Sequence, residues 1–244
     1  MIRLLRDDHR VVAWDMRGHG RSRAGRDGVT LDAVAEDIAT VIAACDLDDV
    51  VLVGHSMGGM AMCHFARLHP RLLAHKVRGL AFVATSARVL PPPSWRADVK
   101  TLGGVAGALL LAGLRVPSPY RWRHGDLSTA MVAIAFGPDA TARMVDDVRV
   151  MLSEARPETM VEAGRSISTH DELDHLGSVH TPTEIVVGDY DRLTPPAHAQ
   201  ALHRAIAGSR VTVVERAGHQ VMQEAPHELC SVIRSLTGQR GSAA

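Results

Sequence analysis

A serine flanked by glycines is the best candidate in this chain for nucleophilic chemistry. Residues 51–60 read VLVGHSMGGM, an apolar run that leads into a G-x-S-x-G pattern centred on Ser56. A strand followed by this pattern and then by a helix predicts a tight turn that exposes the serine hydroxyl at a helix N-terminus. We expect Gly54 and Gly58 to be required because side chains at these positions would collide within the turn.

A serine hydroxyl is a weak nucleophile until a base removes its proton and an acid orients that base. Two later apolar runs are each followed by residues of the required types. The run 184–187 precedes Asp189 and Asp191, and the run 211–214 precedes His219. The order serine, aspartate, histidine matches one class of hydrolases and differs from the chymotrypsin and subtilisin orders. On spacing alone, both aspartates are candidates for the acid.

Short apolar runs alternate with helical patterns along the chain. The runs lack strict alternation of apolar and polar residues, as expected for strands that are buried on both faces. This organisation predicts an α/β fold with a mostly parallel sheet flanked by helices. The predicted strands cover residues 10–14, 50–53, 79–84, 184–187 and 211–214.

Two helices have clear local signals. Residues 31–44 carry apolar side chains at helical spacing, and Thr30 is suited to cap that helix. A second helix is predicted to begin at Pro226, since proline favours the first helical position and apolar residues follow at i, i+3, i+4 and i+7.

The strand pattern is interrupted over residues 88–179, where helical patterns rich in Ala, Leu and Met follow three prolines. We interpret this segment as a helical cap inserted over the strand ends, where α/β folds bind ligands. The predicted domains are a core made of residues 1–87 and 180–244 and a cap or lid made of residues 88–179.

Four motifs together resemble a known family. They are DMRGHGRS at 15–22, GHSMGG at 54–59, GDYD at 188–191, and the pair Gly218-His219. The chain resembles members of the α/β-hydrolase fold superfamily, close to its serine esterase and lipase-like branch. The resemblance spans almost the whole chain.

The resemblance implies a role for each matching residue. Ser56 would be the nucleophile, His219 the general base and Asp191 the acid, because the family acid is the third residue after the glycine of the GDYD motif. The backbone N–H of Met57 would be one donor of the oxyanion hole. Catalysis of this kind implies no cofactor and no metal.

One family element has no counterpart in this sequence. In family members three more strands precede the strand predicted at 10–14, and the third leads into a His-Gly loop that donates the second oxyanion amide. Residues 1–9 cannot supply that loop. We therefore expect the second donor to be absent from this chain, the fold to be N-terminally truncated, and the true start to lie upstream.

The leading hypothesis is a serine hydrolase that cleaves a carboxylic ester or related acyl bond through an acyl-enzyme intermediate. The expected partner is a small apolar ester or acyl substrate. The same residues serve cofactor-free perhydrolases of the haloperoxidase type, carbon–carbon bond hydrolases and acyltransferases, and the sequence does not separate these. A second hypothesis is a non-catalytic or weakly active remnant of such a hydrolase.

Composition argues against other classes of protein. Basic and acidic residues number 27 each and are interspersed, which disfavours nucleic acid as a partner. The longest apolar run, 103–114, is shorter than the roughly 20 residues that span a bilayer. The charged start lacks a signal-peptide core, and the three cysteines are far apart, so we predict a cytoplasmic protein without an integral membrane segment.

Three other histidines invite functional interpretations. His170 and His175 are five residues apart, whereas a helical metal pair needs i, i+4 spacing, so we predict a polar, solvated helix face there. His55 precedes Ser56, but adjacent side chains in such a turn point apart. We expect His55 to pack or to form a hydrogen bond locally.

Overall fold

Four parallel strands form the sheet within residues 1–88 and 126–238, the parts of the chain that the computed structural model describes. The runs predicted at 50–53, 79–84, 184–187 and 211–214 all form strands. Parallel pairing brings their carboxyl ends to one edge of the sheet, where α/β folds place their functional residues. The strands pair in chain order: β1 (Val50–His55), β2 (Val77–Val83), β3 (Thr183–Gly188) and β4 (Arg210–Val214).

Helices connect and cover the strands. The two helices with clear local signals form as predicted, and the Thr30 hydroxyl accepts a hydrogen bond from the Ala33 amide, 3.2 Å away. Among the described residues, no helix is both long and apolar enough to cross a membrane. The helices are α1 (Ile2–Leu5), α2 (Leu31–Ala44), α3 (Met57–Leu68), α4 (Pro70–Lys76), α5 (Asp126–Ala133), α6 (Ala142–Glu154), α7 (Pro157–Ser168), α8 (Pro196–Ala205), α9 (Val221–Glu224) and α10 (Pro226–Thr237), with a 3-10 helix at Leu173–Ser178.

Apolar side chains cover both faces of the sheet. On one face, α2, α3 and α8 pack around Phe82, which is fully buried together with Phe65 of α3. On the other face, α10 packs Leu229 and Ile233 against strand residues that include Val83. Successive side chains of a strand point to opposite faces, so a strand that is covered on both sides needs a continuous apolar run.

Residues 10–14 do not form a strand, and this prediction is wrong. Within the described part of the chain, β1 pairs only with β2, and no strand lies along its other edge. Val53 of β1 is 46% exposed and Trp14 is 44% exposed. An extended segment becomes a strand only when a neighbour supplies hydrogen bonds, and Val11 instead packs against the apolar cluster under α10.

The chain between β2 and β3 is helical where it is described. Residues 126–178, called the insertion segment below, contain α5, α6, α7 and the 3-10 helix. Residues 89–125, which include the apolar run at 103–114, lie outside the described residues. At the base of the insertion segment, the Glu172 amide donates to the Ala87 carbonyl at 2.7 Å, next to a β-bridge between Arg88 and Asp171. Residues 87–88 and 171–172 are therefore in contact at the carboxyl end of β2.

Candidate active site

Ser56 occupies a strained turn between β1 and α3. Its φ of 51° and ψ of −118° place it in a region that L-residues rarely adopt. The Ser56 amide donates to the Val83 carbonyl at 3.0 Å, and the Ser56 carbonyl accepts from the Thr85 hydroxyl at 2.6 Å. Both main-chain groups of Ser56 are thus held by the end of β2 and the residues after it. Surrounding structure of this kind is what a strained conformation needs in order to persist.

Close packing around the turn explains why glycine is needed at one of the two predicted positions, Gly54. A Cβ atom at Gly54 would lie 2.4 Å from the Met62 sulfur and 2.7 Å from the Gly58 carbonyl carbon. At Gly58, however, the nearest atom to an added Cβ is Met16 Cε at 4.0 Å, so the expected collision there is wrong. The second crowded position is Gly59, where a Cβ would lie 2.5 Å from the Thr85 side chain.

His219 and Asp191 form a buried hydrogen-bonded pair. The Nδ1 atom of His219 lies 3.0 Å from Oδ2 of Asp191, and each side chain is at most 5% exposed. An ionised carboxylate can only accept, so Nδ1 carries the proton and Nε2 is left free to accept one. The competing Asp189 is exposed, and its amide donates to the Val214 carbonyl. The geometry therefore favours Asp191 over Asp189 as the partner of His219.

Further donors surround the Asp191 carboxylate. The amides of Leu193 and Thr194 each donate to Oδ1 at 2.9 Å, and the Thr194 hydroxyl donates to Oδ2 at 2.8 Å. Burial opposes the charged form, but the hydrogen bonds from His219 and Thr194 outweigh it and hold the pKa of Asp191 below its ordinary value of 3.8. Asp191 is consequently a carboxylate at neutral pH, able to stabilise a protonated His219.

The main chain of His219 is held by two distant parts of the molecule. Its amide donates to the Ala135 carbonyl in the insertion segment at 2.7 Å. Its carbonyl is 2.9 Å from Nε2 of His55, at the end of β1. The expectation that His55 would pack or form a local hydrogen bond holds for packing, against the His219 ring, but its hydrogen bond reaches a residue 164 positions away. The residues next to His55 in the sequence do not indicate this contact, since only folding brings β1 next to residues 215–220, called the His219 loop below.

Glu224 connects the His219 loop to the insertion segment. Its carboxylate accepts from the Gly218 amide at 2.9 Å and from the Gly137 amide at 2.6 Å. The two backbones approach so closely that a Cβ at Gly218 would lie 2.5 Å from the Phe136 carbonyl carbon. Neither Glu224 nor Thr194 was predicted as a site residue from the sequence. Thr194 had one local signal, because it lies in a Thr-Pro-Pro sequence that begins a helix, but Glu224 had none.

The predicted nucleophile follows in sequence a residue, His55, that contacts His219. Within the described residues, no hydrogen bond joins the Ser56 hydroxyl to His219. The ring of His55, the residue before Ser56, lies with its centroid 4.7 Å from that of the His219 ring. Met57 is the first residue of α3, a position where backbone amides lack an intrahelical acceptor. The turn thus places a free amide beside the serine.

A second polar cluster lies between α2, α3 and the base of the insertion segment. Asp32, His64 and Glu172 bring possible metal-ligating atoms within 4.8 Å of one another. The Arg67 guanidinium lies among them, 2.5 Å from Asp32 Oδ1 and 2.9 Å from Glu172 Oε1. The single Arg67 guanidinium donates to both carboxylates, so we interpret this cluster as an ion-pair network that fastens the insertion segment to the core.

His170 belongs to this network, which corrects the prediction of a solvated helix face at residues 170–175. His170 is only 3% exposed; its Nε2 is 2.9 Å from the Ser86 carbonyl and its Nδ1 is 3.0 Å from His64. Asp171, Asp174 and His175 are exposed as expected. The chain turns inward after α7 ends at Ser168, and this turn buries His170 between two elements.

A protein-family model matches most of the chain. The family model for the alpha/beta hydrolase fold matches residues 1–226. The chain belongs to the α/β hydrolase fold family. The match covers every strand and extends through Ser56, Asp191 and His219.

The names of two proteins that are similar to this chain specify different activities. The pimeloyl-[acyl-carrier protein] methyl ester esterase of Neisseria meningitidis is 29% identical over 215 residues, covering 86% of this chain and 75% of that protein. The non-heme haloperoxidase of Rhodococcus erythropolis is 27% identical over 237 residues, covering 95% and 80% respectively. The chain spans 66% of the length of the uncharacterized mycobacterial relatives that it matches at 25% identity.

A solved structure confirms the predicted fold class. The esterase from Exiguobacterium antarcticum superposes with a TM-score of 0.79 at 22% identity, over 96% of this chain and 84% of that one. At this level of identity the likeness establishes the fold alone. The parallel sheet flanked by helices is therefore an α/β-hydrolase sheet, as the four motifs predicted.

Proposed function

We propose that this α/β hydrolase is a serine hydrolase that cleaves a carboxylic ester through an acyl-enzyme intermediate. The observation that supports the proposal best is the buried hydrogen bond from His219 to Asp191, beside the strained turn at Ser56. Nucleophile, acid and base would then follow one another along the chain in the order typical of this family. The pimeloyl methyl ester esterase of N. meningitidis is a relative whose name specifies the same class of reaction.

In the proposed reaction, His219 Nε2 accepts the Ser56 hydroxyl proton as Oγ attacks the ester carbonyl carbon. The tetrahedral oxyanion accepts a hydrogen bond from the Met57 amide, and the protonated His219 then donates its proton to the departing alcohol. Water repeats the sequence on the acyl-serine, releasing the carboxylic acid and restoring the serine. Asp191 stabilises the imidazolium in both halves and holds Nδ1 as the donor.

The proposed substrate is a small ester with an apolar acyl or alcohol part. Residues 88–179, the predicted cap, are rich in Ala, Leu and Met, and a lid of that composition suits an apolar ligand. The acyl-chain preference is measurable as kcat/KM across p-nitrophenyl esters of increasing chain length. We expect kcat/KM to rise from acetate towards longer chains.

Replacing Ser56 with alanine tests the proposal. We expect the turnover of p-nitrophenyl esters to fall by about 10⁴-fold or more, as for other triad serines. Ser231→Ala is the matched control, because Ser231 is exposed on α10. A fluorophosphonate probe should label the parent at Ser56 and leave Ser56→Ala unlabelled. Folded parent protein that hydrolyses no ester and takes up no label would favour the non-catalytic hypothesis.

A second candidate is perhydrolysis, which the identity with the R. erythropolis haloperoxidase favours. The acyl-serine would form in the same way, and hydrogen peroxide in place of water would attack it to release a peracid and free serine. Adding peroxide to a steady-state ester assay and measuring halide oxidation by the peracid separates the two. Peracid formation that depends on Ser56 would support this candidate.

A further inference from the structure

The side chain of His55 provides a direct link between the turn that carries Ser56 and the loop that carries His219. His55 is the last residue of β1 and is joined to Ser56 by a peptide bond. Its Nε2 lies 2.9 Å from the His219 carbonyl oxygen, and the two imidazole planes meet at 55°. A carbonyl oxygen can only accept, so His55 Nε2 carries a hydrogen and donates it. The bond has the length of an ordinary N–H···O hydrogen bond.

This link does not depend on pH in the range where esters are hydrolysed enzymatically. Burial, assisted by the neighbouring His219, lowers the pKa of His55 to about 3. The imidazole is therefore neutral at neutral pH and keeps one hydrogen. Because that hydrogen is needed for the His219 carbonyl, the bond fixes the tautomer of His55 and makes it a constant structural element.

Contacts from separate parts of the molecule hold His219, and His55 supplies the one that comes from the serine side. The His219 amide is held by Ala135, and the imidazole Nδ1 by Asp191. In the described residues, the bond from His55 is the hydrogen bond that connects residues 54–59 with the loop at residues 215–220. Without it, no direct hydrogen bond among the described residues would join the turn to the loop, and the two would be related only through the sheet and the contacts of its neighbouring residues.

We propose that His55 is a positioning residue that sets the separation between the Ser56 hydroxyl and the His219 imidazole. The inference rests on the proposed function, in which these two groups exchange a proton. Transfer requires the hydroxyl oxygen and Nε2 to come within about 2.6–3.2 Å. Since His55 is covalently next to the serine and bonded to the main chain of the histidine, a change in this bond alters that separation directly.

Two substitutions separate hydrogen bonding from packing. His55→Gln keeps an N–H at nearly the position of Nε2, whereas His55→Leu removes the donor and keeps an apolar side chain of moderate size. We expect His55→Leu to lower kcat by about 10- to 100-fold with KM changed less than about 3-fold, since misplacement of reacting groups by 1 Å can cost about 10². We expect His55→Gln to retain kcat to within about 5-fold of the parent. The rate of fluorophosphonate labelling at Ser56 should follow kcat.

His170→Leu is the matched control, because Nε2 of His170 likewise lies 2.9 Å from a main-chain carbonyl, that of Ser86, and donates to it. It should lose a comparable amount of thermal stability while kcat stays near the parent value. Equal losses of kcat in His55→Leu and His170→Leu would overturn the proposal, as would an equal loss in His55→Gln. If His55→Leu does not fold, His55→Asn replaces it, because the asparagine amide ends one bond short of the Nε2 position.

The same series distinguishes a failure of this proposal from a failure of the proposed function. Ser56→Ala is measured alongside the other variants under identical conditions. Parent activity in Ser56→Ala refutes the nucleophile assignment and, with it, the role of His55. Loss of activity in Ser56→Ala together with parent-like kcat in His55→Leu refutes the positioning role alone.

Discussion

The contact that Glu224 makes between the insertion segment and the His219 loop leads to a quantitative prediction. Its carboxylate accepts two main-chain N–H groups, from Gly137 at 2.6 Å and from Gly218 at 2.9 Å. Glu224→Gln preserves the shape of the side chain but replaces one acceptor oxygen with an NH₂ group. That group would face an N–H donor, so one bond is lost and the other loses its charge assistance.

The expected cost follows from these two bonds. A hydrogen bond to a charged group contributes about 1.5–3 kcal/mol, and a neutral one contributes about 1 kcal/mol. With each charged bond taken at about 1.5–2 kcal/mol, because both share one carboxylate, the loss of one bond and the weakening of the other should lower the free energy of unfolding by roughly 2–3 kcal/mol. For a chain of this size, each kcal/mol shifts the melting temperature by about 2–4 °C. We therefore expect the melting temperature of Glu224→Gln to fall by about 4–12 °C.

Circular dichroism during heating measures the melting temperature. Hydrolysis of a p-nitrophenyl ester, assayed in parallel, measures the activity. Activity should fall as well, since the loop that carries His219 is held to the insertion segment by this carboxylate and by the Ala135 carbonyl. Glu228→Gln is the matched control, because Glu228 is exposed on α10. A melting temperature for Glu224→Gln within about 1 °C of the Glu228→Gln value would refute the reasoning.

Two further predictions concern Asp191 and the turn glycines. Under the proposed function, Asp191→Asn should lower kcat by about 10⁴-fold, the loss that is typical of triad aspartates, and it should also change how stability depends on acidic pH. The folded-state pKa of Asp191 lies below 3.8, so its charged form stabilises the fold above about pH 4, and this stability is lost as the pH falls through the folded-state value. Urea unfolding should show the parent's advantage over Asp191→Asn shrinking between pH 5 and pH 3, and an unchanged advantage would contradict this. Gly54→Ala should cost about 1–3 kcal/mol by overpacking, whereas Gly58→Ala, whose added Cβ meets only Met16 Cε at 4.0 Å, should be neutral or stabilise by up to about 1 kcal/mol. Similar melting temperatures for the two alanine variants would contradict the packing described at Gly54.

Features that depend on neighbouring residues along the chain could be predicted from the sequence. The helix at Leu31–Ala44, with its Thr30 cap, follows from apolar spacing and a side chain that bonds three residues ahead. The strand, turn and helix around Ser56 follow from a local pattern in the same way. The order of Ser56, Asp191 and His219 also lies in the sequence itself, and parallel pairing brings strand ends to one edge wherever βα units repeat.

Features that depend on an unspecified partner were decided only by the tertiary structure. Residues 10–14 have the composition of a strand, but a strand requires a neighbouring ladder, and β1 does not provide one to them. His170 is polar and lies near a helix end, yet it is buried because Ser86 and His64 satisfy both of its nitrogens. No local signal indicates which distant carbonyl will accept a given N–H.

The site shows the same division between local and distant information. Residue types and spacing identified Ser56, His219 and two candidate acids, and the fold brought Asp191 rather than Asp189 to His219. The contacts of His55 and Glu224 with the His219 loop have no counterpart in any sequence pattern, because each joins segments whose approach is set by core packing. Sequence determined which groups are available for chemistry, and tertiary structure determined how they are held, since hydrogen bonds between distant segments form only after the core has fixed their separation.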